Sequence, residues 1–347
     1  MENRQESNMT AAELNTEALY LPDAPAIPGL TFRRFQGESD YPNMVTVINA
    51  AAAADRIERV TTLEDIASNY AHLTNSDPYQ DMLLVELEGR VVGYTRVWWA
   101  REEAGNRLYV HICFLVPEAR RKGIGRAIVR HNERRLREIA SGHPADGPRF
   151  FQAFAADTET GKEALLSSEG YAAVRRGYNM VRSLAEPIVL APLPPGLEVR
   201  PVPPEHIRAF WEADQEAFRD HWGFIPGTEQ DYQRWLNEPI FNPHLWQVAW
   251  DGGQIAGAVQ NFVNAKENEA YNRKRGYTEG IFVRRPWRKR GLAQALIMRS
   301  LQMFKDMGFT EAALGVDSEN LSGALRLYES CGFRVVKRES LYRKPMG

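Results

Sequence analysis

Two short basic phrases carry the plainest chemistry in this chain. They are Arg120-Arg121-Lys122-Gly123-Ile124-Gly125 and Arg288-Lys289-Arg290-Gly291-Leu292-Ala293. Each follows an apolar, strand-like run and opens an amphipathic, helix-like one. Glycine or alanine lets the backbone come close to a ligand. The free N–H groups of a helix's first turn then point at that ligand, with the positive end of the helix dipole behind them. The result is an anion cradle. A chain that builds it twice binds a phosphorylated cofactor or descends from one that did. A solvated helix start or a targeting patch would need the charge but not the glycine placement. The helix terminus alone supplies only about 0.3–2 kcal/mol, so several N–H bonds must act together.

The elements that position these phrases also occur twice. Residues 108–116 and 277–283 read as the strands entering the two turns. Residues 82–86 and 245–250 are β-rich runs that precede them. Glu88-Gly89-Arg90-Val91-Val92-Gly93 matches Gly252-Gly253-Gln254-Ile255-Ala256-Gly257, a hairpin turn feeding a strand. After the first turn Ile124, Ile128, Leu136 and Ala140 form an apolar stripe; Leu292, Ala295, Leu296 and Met303 repeat it after the second. Pro28-Gly29-Leu30 and Pro195-Gly196-Leu197 open the halves, and Gly170-Tyr171 and Gly332-Phe333 mark corresponding ends. The chain is therefore a tandem duplication. Its expected parts are a flexible tail (1–27), a first domain (28–185), a stiff proline-rich connector (186–195) and a second domain (196–347). Alternating strands and helices mean a sheet covered by helices.

Composition narrows the function. With 347 residues, 44% hydrophobic and 25% charged, the chain has room for two ordinary globular domains. A net charge of −2 argues against nucleic acid or an anionic membrane as the main partner. The Ala-rich stretch near Asn49 is too short to span a bilayer. The start of the chain lacks a basic n-region with an apolar core, so cytoplasm is the expected location. Cys113 and Cys331 fit a reducing compartment. Neither they nor the seven histidines show metal-ligand spacing, so no metal is expected.

Arg-x-x-Gly-x-Gly/Ala after a strand is followed in the second half by Asn320 through Phe333, with Ala324, Leu325, Leu327, Tyr328, Glu329, Gly332 and Phe333 in order. Together these resemble the GCN5-related N-acetyltransferase (GNAT) superfamily, fully in the second half and partly in the first. The tandem layout is similar to that of the mycothiol synthases. The resemblance implies a mixed α/β fold of two tandem domains, each a central, mostly antiparallel sheet flanked by helices. It also implies acetyl-CoA as acyl donor. Its pyrophosphate would lie on Arg288, Lys289, Arg290, Gly291, Leu292 and Ala293, with arginine adding bidentate grip. An N–H near Phe282 or Val283 would polarise the thioester carbonyl. Tyr328 stands where the family keeps a general-acid tyrosine, and packing of its ring is the plainer role. Asn320 would help start the last helix or bond the pantetheine arm.

An amine must lose a proton before it attacks a thioester, and a carboxylate can take it. Tyr277, Glu279 and Ile281 share one face of the entering strand. Glu279 is the candidate base, although the family commonly places its glutamate two residues earlier, where Tyr277 stands; an orienting ion pair is the other role open to Glu279. His221 and Trp222, with Tyr277, are candidate acceptor contacts, and they equally suit a domain interface.

The first half departs from this pattern. Leu166 occupies the tyrosine position and His111 the glutamate position. Arg120, Lys122, Gly123 and Gly125 remain, so this half would bind acyl-CoA without turnover or serve only as a wall. The expected activity is acetyl transfer to a primary amine of a small molecule or peptide, by a monomer or homodimer. Alternatives are a mycothiol-synthase-like transferase acting on a cysteinyl amine and a non-catalytic acyl-CoA sensor.

Overall fold

The computed structural model describes residues 18–320 and 323–347. The first half runs β1 (Leu30–Arg33), α1 (Tyr41–Ala54), α2 (Leu63–Ala71), α3 (Pro78–Asp81), β2 (Met82–Leu87), β3 (Arg90–Arg101), β4 (Arg107–Leu115), α4 (Ile124–Ser141), β5 (Arg149–Ala156), α5 (Thr160–Ser168) and β6 (Ala172–Ser183). The second repeats the plan with β7 (Glu198–Val199), α6 (Ile207–Phe218), α7 (Glu229–Leu236), β8 (Gln247–Asp251), β9 (Gln254–Phe262), α8 (Ala265–Ala270), β10 (Arg275–Val283), α9 (Leu292–Asp306), β11 (Glu311–Asp317), α10 (Ala324–Ser330) and β12 (Arg334–Pro345). The duplication extends to helix caps. Thr62 with Asp65 and Thr228 with Asp231 form reciprocal capping boxes at α2 and α7.

All strands join one twelve-stranded sheet in the order β1-β2-β3-β4-β5-β12-β6-β11-β10-β9-β8-β7. Only β4–β5 and β10–β11 pair in parallel; the remaining pairs are antiparallel. The fold class is the expected one, with a feature no local pattern announces. The two halves exchange their last strands: β6 pairs with β11 from Glu311↔Ser183 to Asp317↔Gly177, and β12 pairs with β5 from Glu339↔Ala156 to Pro345↔Phe150. β6 and β12 also pair with each other.

The cores follow the apolar stripes. Ile124, Ile128 and Val92 pack in the first half; Leu292, Leu296, Leu301 and Phe304 pack under the second half's sheet. The N-terminal segment differs from the expected tail. Leu21 is buried, and Asp23 pairs with Arg130 at 2.9 Å and Arg134 at 2.6 Å. Residues 18–27 are thus held against α4, and the rest of the expected tail lies outside the described residues. The connector is also anchored. Ile188 and Leu193 pack on the second core, and Pro187 O accepts a bond from Arg182 at 2.8 Å.

Candidate active site

A site opens where two parallel strands part. β10 pairs with β11 only from Arg275↔Glu311 to Tyr277↔Ala313, although both strands run on. On its other edge β10 carries a bulge: Glu279 faces Gln260 and Phe282 faces Ala258, so Gly280 and Ile281 stand against one residue of β9. Gly280 takes φ +51, and a Cβ there would lie 2.4 Å from Gln260 Nε2. Asp214 fixes that amide, accepting its N–H at 2.9 Å. Arg284 N–H donates to Ala256 O at 3.0 Å. Amides alternate edges along a strand, so the N–H of Phe282 also faces β9, while those of Ile281 and Val283 face the gap. Of the two amides expected to meet a thioester oxygen, only that of Val283 is turned to the opening. The side chain of Phe282 is buried against Phe210.

The basic turn adjoins this gap. Lys289 (φ +60) and Gly291 (φ +82) are left-handed, as are Arg121 (φ +62) and Gly123 (φ +86) in the first half. This backbone turns successive N–H groups inward as an anion-binding nest. Gly291 caps α9, whose first intrahelical bond is Ala295 N–H to Gly291 O, leaving the N–H groups of Leu292 and Ala293 free of that ladder. No atom stands within 4 Å of a Cβ built on Gly291, so the cradle is open. The fit to a pyrophosphate is therefore a backbone fit. The side chain of Leu292 is in the core.

Arg288 differs from the expected phosphate ligand. Its guanidinium turns inward, donating to Val283 O (2.9 Å), Asp220 (2.7 Å) and Ala217 O (3.1 Å). Asp220, held by Arg285 and Arg288, sits well below the usual carboxylate range. Arg120 repeats the arrangement with Leu115 O and Asp55. The first arginine of each phrase ties the turn to the first helix of its half. Lys289, Arg290 and Lys122 are exposed, and Arg290 reaches Pro195 O at 3.3 Å.

Beside the gap lies a cavity of about 410 Å³ that brings together Glu279, Tyr328, Asn320, His221 and Trp222. Gly315 N–H donates to Glu279 Oε1 at 2.7 Å. Burial, aided by the charge of Glu339 and opposed by that bond, pushes the Glu279 carboxyl up to about 7. Tyr328 projects from α10 and is 7% exposed. Burial, then the nearby Glu279, raises its hydroxyl far above the ordinary tyrosine value. His221 packs on Phe218, and burial lowers its affinity for a proton.

Two expectations need correction. Tyr277 does not line the cavity: its hydroxyl donates to Glu267 at 2.6 Å and its ring stacks on Phe262. Asn320 does not cap the last helix, which begins at Ala324 with left-handed Gly323 as cap; it stands at the cavity wall. Sequence reasoning missed Gly315, Gln260, Asp214 and Glu339. It also missed Phe154 and Arg175, which the exchanged sheet delivers from the first half. The Glu-Gly pair at Glu279-Gly280 is a faint signal for the bulge; the others had none.

The first half keeps the opening but places other residues around it. β4 separates from β5 after Val110↔Gln152, and a cavity of about 730 Å³ lies there, lined by Gly123, Gly125 and His111. Its β3–β4 register is unbroken from Gly93↔Leu115 to Arg101↔Arg107, so there is no bulge. Leu166 is buried. His111 is buried too, its Nε2 lies 2.9 Å from the Tyr171 hydroxyl, and burial holds its pKa down to about 3.

The acetyltransferase (GNAT) family model matches residues 48–143 and 207–333. The chain belongs to the GNAT family. It is an N-acetyltransferase, and the fold is built for an acyl-CoA donor. A mycothiol acetyltransferase of Thermomonospora curvata is 29% identical, over 88% of this chain and 94% of that one. A GCN5-related N-acetyltransferase from Sphaerobacter thermophilus superposes with a TM-score of 0.70 at 27% identity, covering 92% of this chain and 96% of that one. A tandem GNAT protein from the clavulanic acid biosynthesis pathway shares the fold, with a TM-score of 0.66 at 16% identity, covering 92% of this chain and 99% of that one. Among the described residues no helix is long and apolar enough to cross a membrane.

Proposed function

We propose that the second half transfers an acetyl group from acetyl-CoA to a primary amine by direct attack. The observation that carries this is one cavity joining Glu279 on β10 to Tyr328 on α10 at the mouth of the strand gap. Glu279, with a pKa near neutrality, takes the proton of the acceptor ammonium, directly or through a water. The amine nitrogen bonds to the thioester carbon. The N–H of Val283, beside the bulge, holds the charge that develops on the carbonyl oxygen. The C–S bond breaks, Tyr328 gives its proton to the departing thiolate, and the second proton of the nitrogen returns through water to the Tyr328 phenolate, leaving a neutral amide and the CoA thiol. The nest of Lys289, Arg290, Gly291, Leu292 and Ala293 holds the pyrophosphate, Arg288 holds the nest, and Asn320 borders the pantetheine path. His221 and Trp222 line the acceptor side. In the first half Gly123 and Gly125, with Arg120 bracing the turn and Lys122 beside it, would hold a second CoA without turnover.

A cysteinyl amine is the second reading of the acceptor, supported by the mycothiol acetyltransferase relative. The test is thiol release from acetyl-CoA across a panel of amines that includes a cysteinyl amino sugar. Glu279→Gln and Tyr328→Phe should each lower kcat by ~10²–10⁴. Wild-type rates in both variants would remove the assigned roles. Calorimetric binding of acetyl-CoA without turnover on any amine would make the protein a sensor instead.

A further inference from the structure

We infer that the acceptor is a dication: besides the reacting ammonium it presents a second positive group, which Glu339 receives. This rests on Glu279 acting as the base.

Glu339 lies on β12, opposite Gly177 of β6. A Cβ built on Gly177 would lie 3.0 Å from Glu339 Oε1 and 3.1 Å from its Cγ. The side chain therefore lies over the glycine, on the way to β11 and β10. Gly315 of β11 is a second bare position, where a Cβ would be 3.5 Å from Glu279 Oε1. Two glycines thus leave space between two carboxylates in one cavity, and Glu339 is close enough for its charge to be felt at Glu279.

Glu339 is exposed to solvent while the cavity is open, and among the described residues nothing neutralises it. Among the described residues its carboxylate has no ion pair and no hydrogen bond. Arg175 is committed to Asp317 at 2.7 Å and Glu319 at 3.2 Å. Arg176 contributes to the cavity wall, but it is paired in register with Ser340, and strand alternation sends its side chain to the face opposite Glu339. His221 is disfavoured as a cation.

An independent feature also points to a ligand. The side chain of Tyr328 is 7% exposed, borders the same cavity, and its hydroxyl has no hydrogen-bond partner among the described residues. Phe154, Phe218 and Trp222 add aromatic walls suited to a cation. An acceptor that covers Glu339 without offering a positive charge leaves a desolvated carboxylate unpaired, which is costly. A diamine, or an amine carrying a guanidinium, meets that need.

The experiment compares kcat/KM for diaminopropane, diaminobutane and diaminopentane with that for propylamine, butylamine and pentylamine, in wild type, Glu339→Gln and Glu339→Asp. Wild type should prefer the diamines by at least about tenfold, the low end for a close charge pair. Glu339→Gln should collapse that ratio, and Glu339→Asp should keep part of it. The rising limb of the pH–rate profile should also move to lower pH in Glu339→Gln, because a negative neighbour of Glu279 is gone. Equal use of mono- and diamines, an unchanged ratio in Glu339→Gln, or preference for glucosamine over the diamines would overturn the inference. If no amine reacts, the transfer reading falls separately. Calorimetric binding of diaminobutane to the CoA-loaded protein then decides: loss in Glu339→Gln supports the dication site, and equal or absent binding removes it.

Discussion

Glu279 must be ionised before it can take a proton from an ammonium. Its carboxyl is raised to about 7, so the ionised fraction falls as pH drops through neutrality. The kcat/KM profile should therefore rise with an apparent pKa of about 7, and Glu279→Gln should lose that limb. A flat profile from pH 5 to 8 would exclude Glu279 as the base. The same shift acts on stability with the opposite sense. Between the ordinary carboxylate range and about 7 the folded state holds more protons than the unfolded one. Asp214, raised by burial to about 7, behaves likewise. The stability that these two groups contribute is full below the ordinary carboxylate value and is lost as pH rises to about 7. Asp214→Asn should flatten that decline in a melting series.

At the scale of the element, the β10 bulge does the placing. A regular strand would hold every amide of one edge at even spacing against β11. The bulge, with Gly280 in the left-handed region, breaks that spacing and turns the strand away from β11. Gly280→Ala adds a Cβ at 2.4 Å from Gln260 Nε2, an atom already engaged with Asp214. It should lower kcat by ~10²–10³, the worth of a misplaced oxyanion donor. The KM for acetyl-CoA should change much less, because the nest at Gly291 is untouched. A large rise in that KM with normal kcat would place the bulge in cofactor binding instead. Gly291→Glu makes the complementary change. It puts an anion at a left-handed helix start and should abolish one acetyl-CoA site in a calorimetric titration.

At the scale of the molecule, each half holds a loop of the other. The loop at 219–228 docks on the first half: Glu103 N–H donates to Phe224 O at 3.0 Å, and Arg219 pairs with Glu103 at 3.2 Å. Trp222 lies over Arg343 at 4.4 Å and Arg175 at 5.1 Å. Arg343 itself is buried with Glu102 and bonded to Gln152 at 2.9 Å. The loop at 55–62 is held the other way, by Arg275 on Glu58 at 2.8 Å and Lys337 on Arg56 O at 2.9 Å. The first half therefore supports the loop that carries Trp222 into the second half's cavity. Arg343→Ala leaves Glu102 buried and unpaired and should cost about 3–5 kcal/mol, read from denaturant unfolding. Its acceptor KM should rise as Trp222 loses its seat. The strand exchange has a harsher consequence. A chain cut between β6 and β7 keeps β6 without its β11 partner and leaves β5 without β12, exposing unpaired edges. Each fragment should be insoluble alone, and co-expression should restore a soluble 1:1 complex on gel filtration. A soluble, monomeric second half would show that the exchange is dispensable.

Features that depend on near neighbours could be read from the order of residues alone. The glycine turns require backbone freedom within a few residues, and Gly123 and Gly291 are where they were read. The apolar stripes of α4 and α9 and the hairpin turns are equally local. Tyr328 could be picked out because it sits in a motif of fixed spacing, and Glu279 from the alternation of its strand, although the family's usual glutamate position holds Tyr277. How distant strands share one sheet was settled by long-range packing. Register between β6 and β11, or β12 and β5, is set by packing across more than a hundred residues, and no local pattern encodes a choice between a strand's own half and the other. That choice brings Glu339 and Arg175 to the cavity and assigns Arg343 to Trp222. It also decided which arginines face solvent: Arg288 and Arg290 look alike in the sequence, but only the former meets Asp220 and the carbonyls of Val283 and Ala217, which take it out of the phosphate nest.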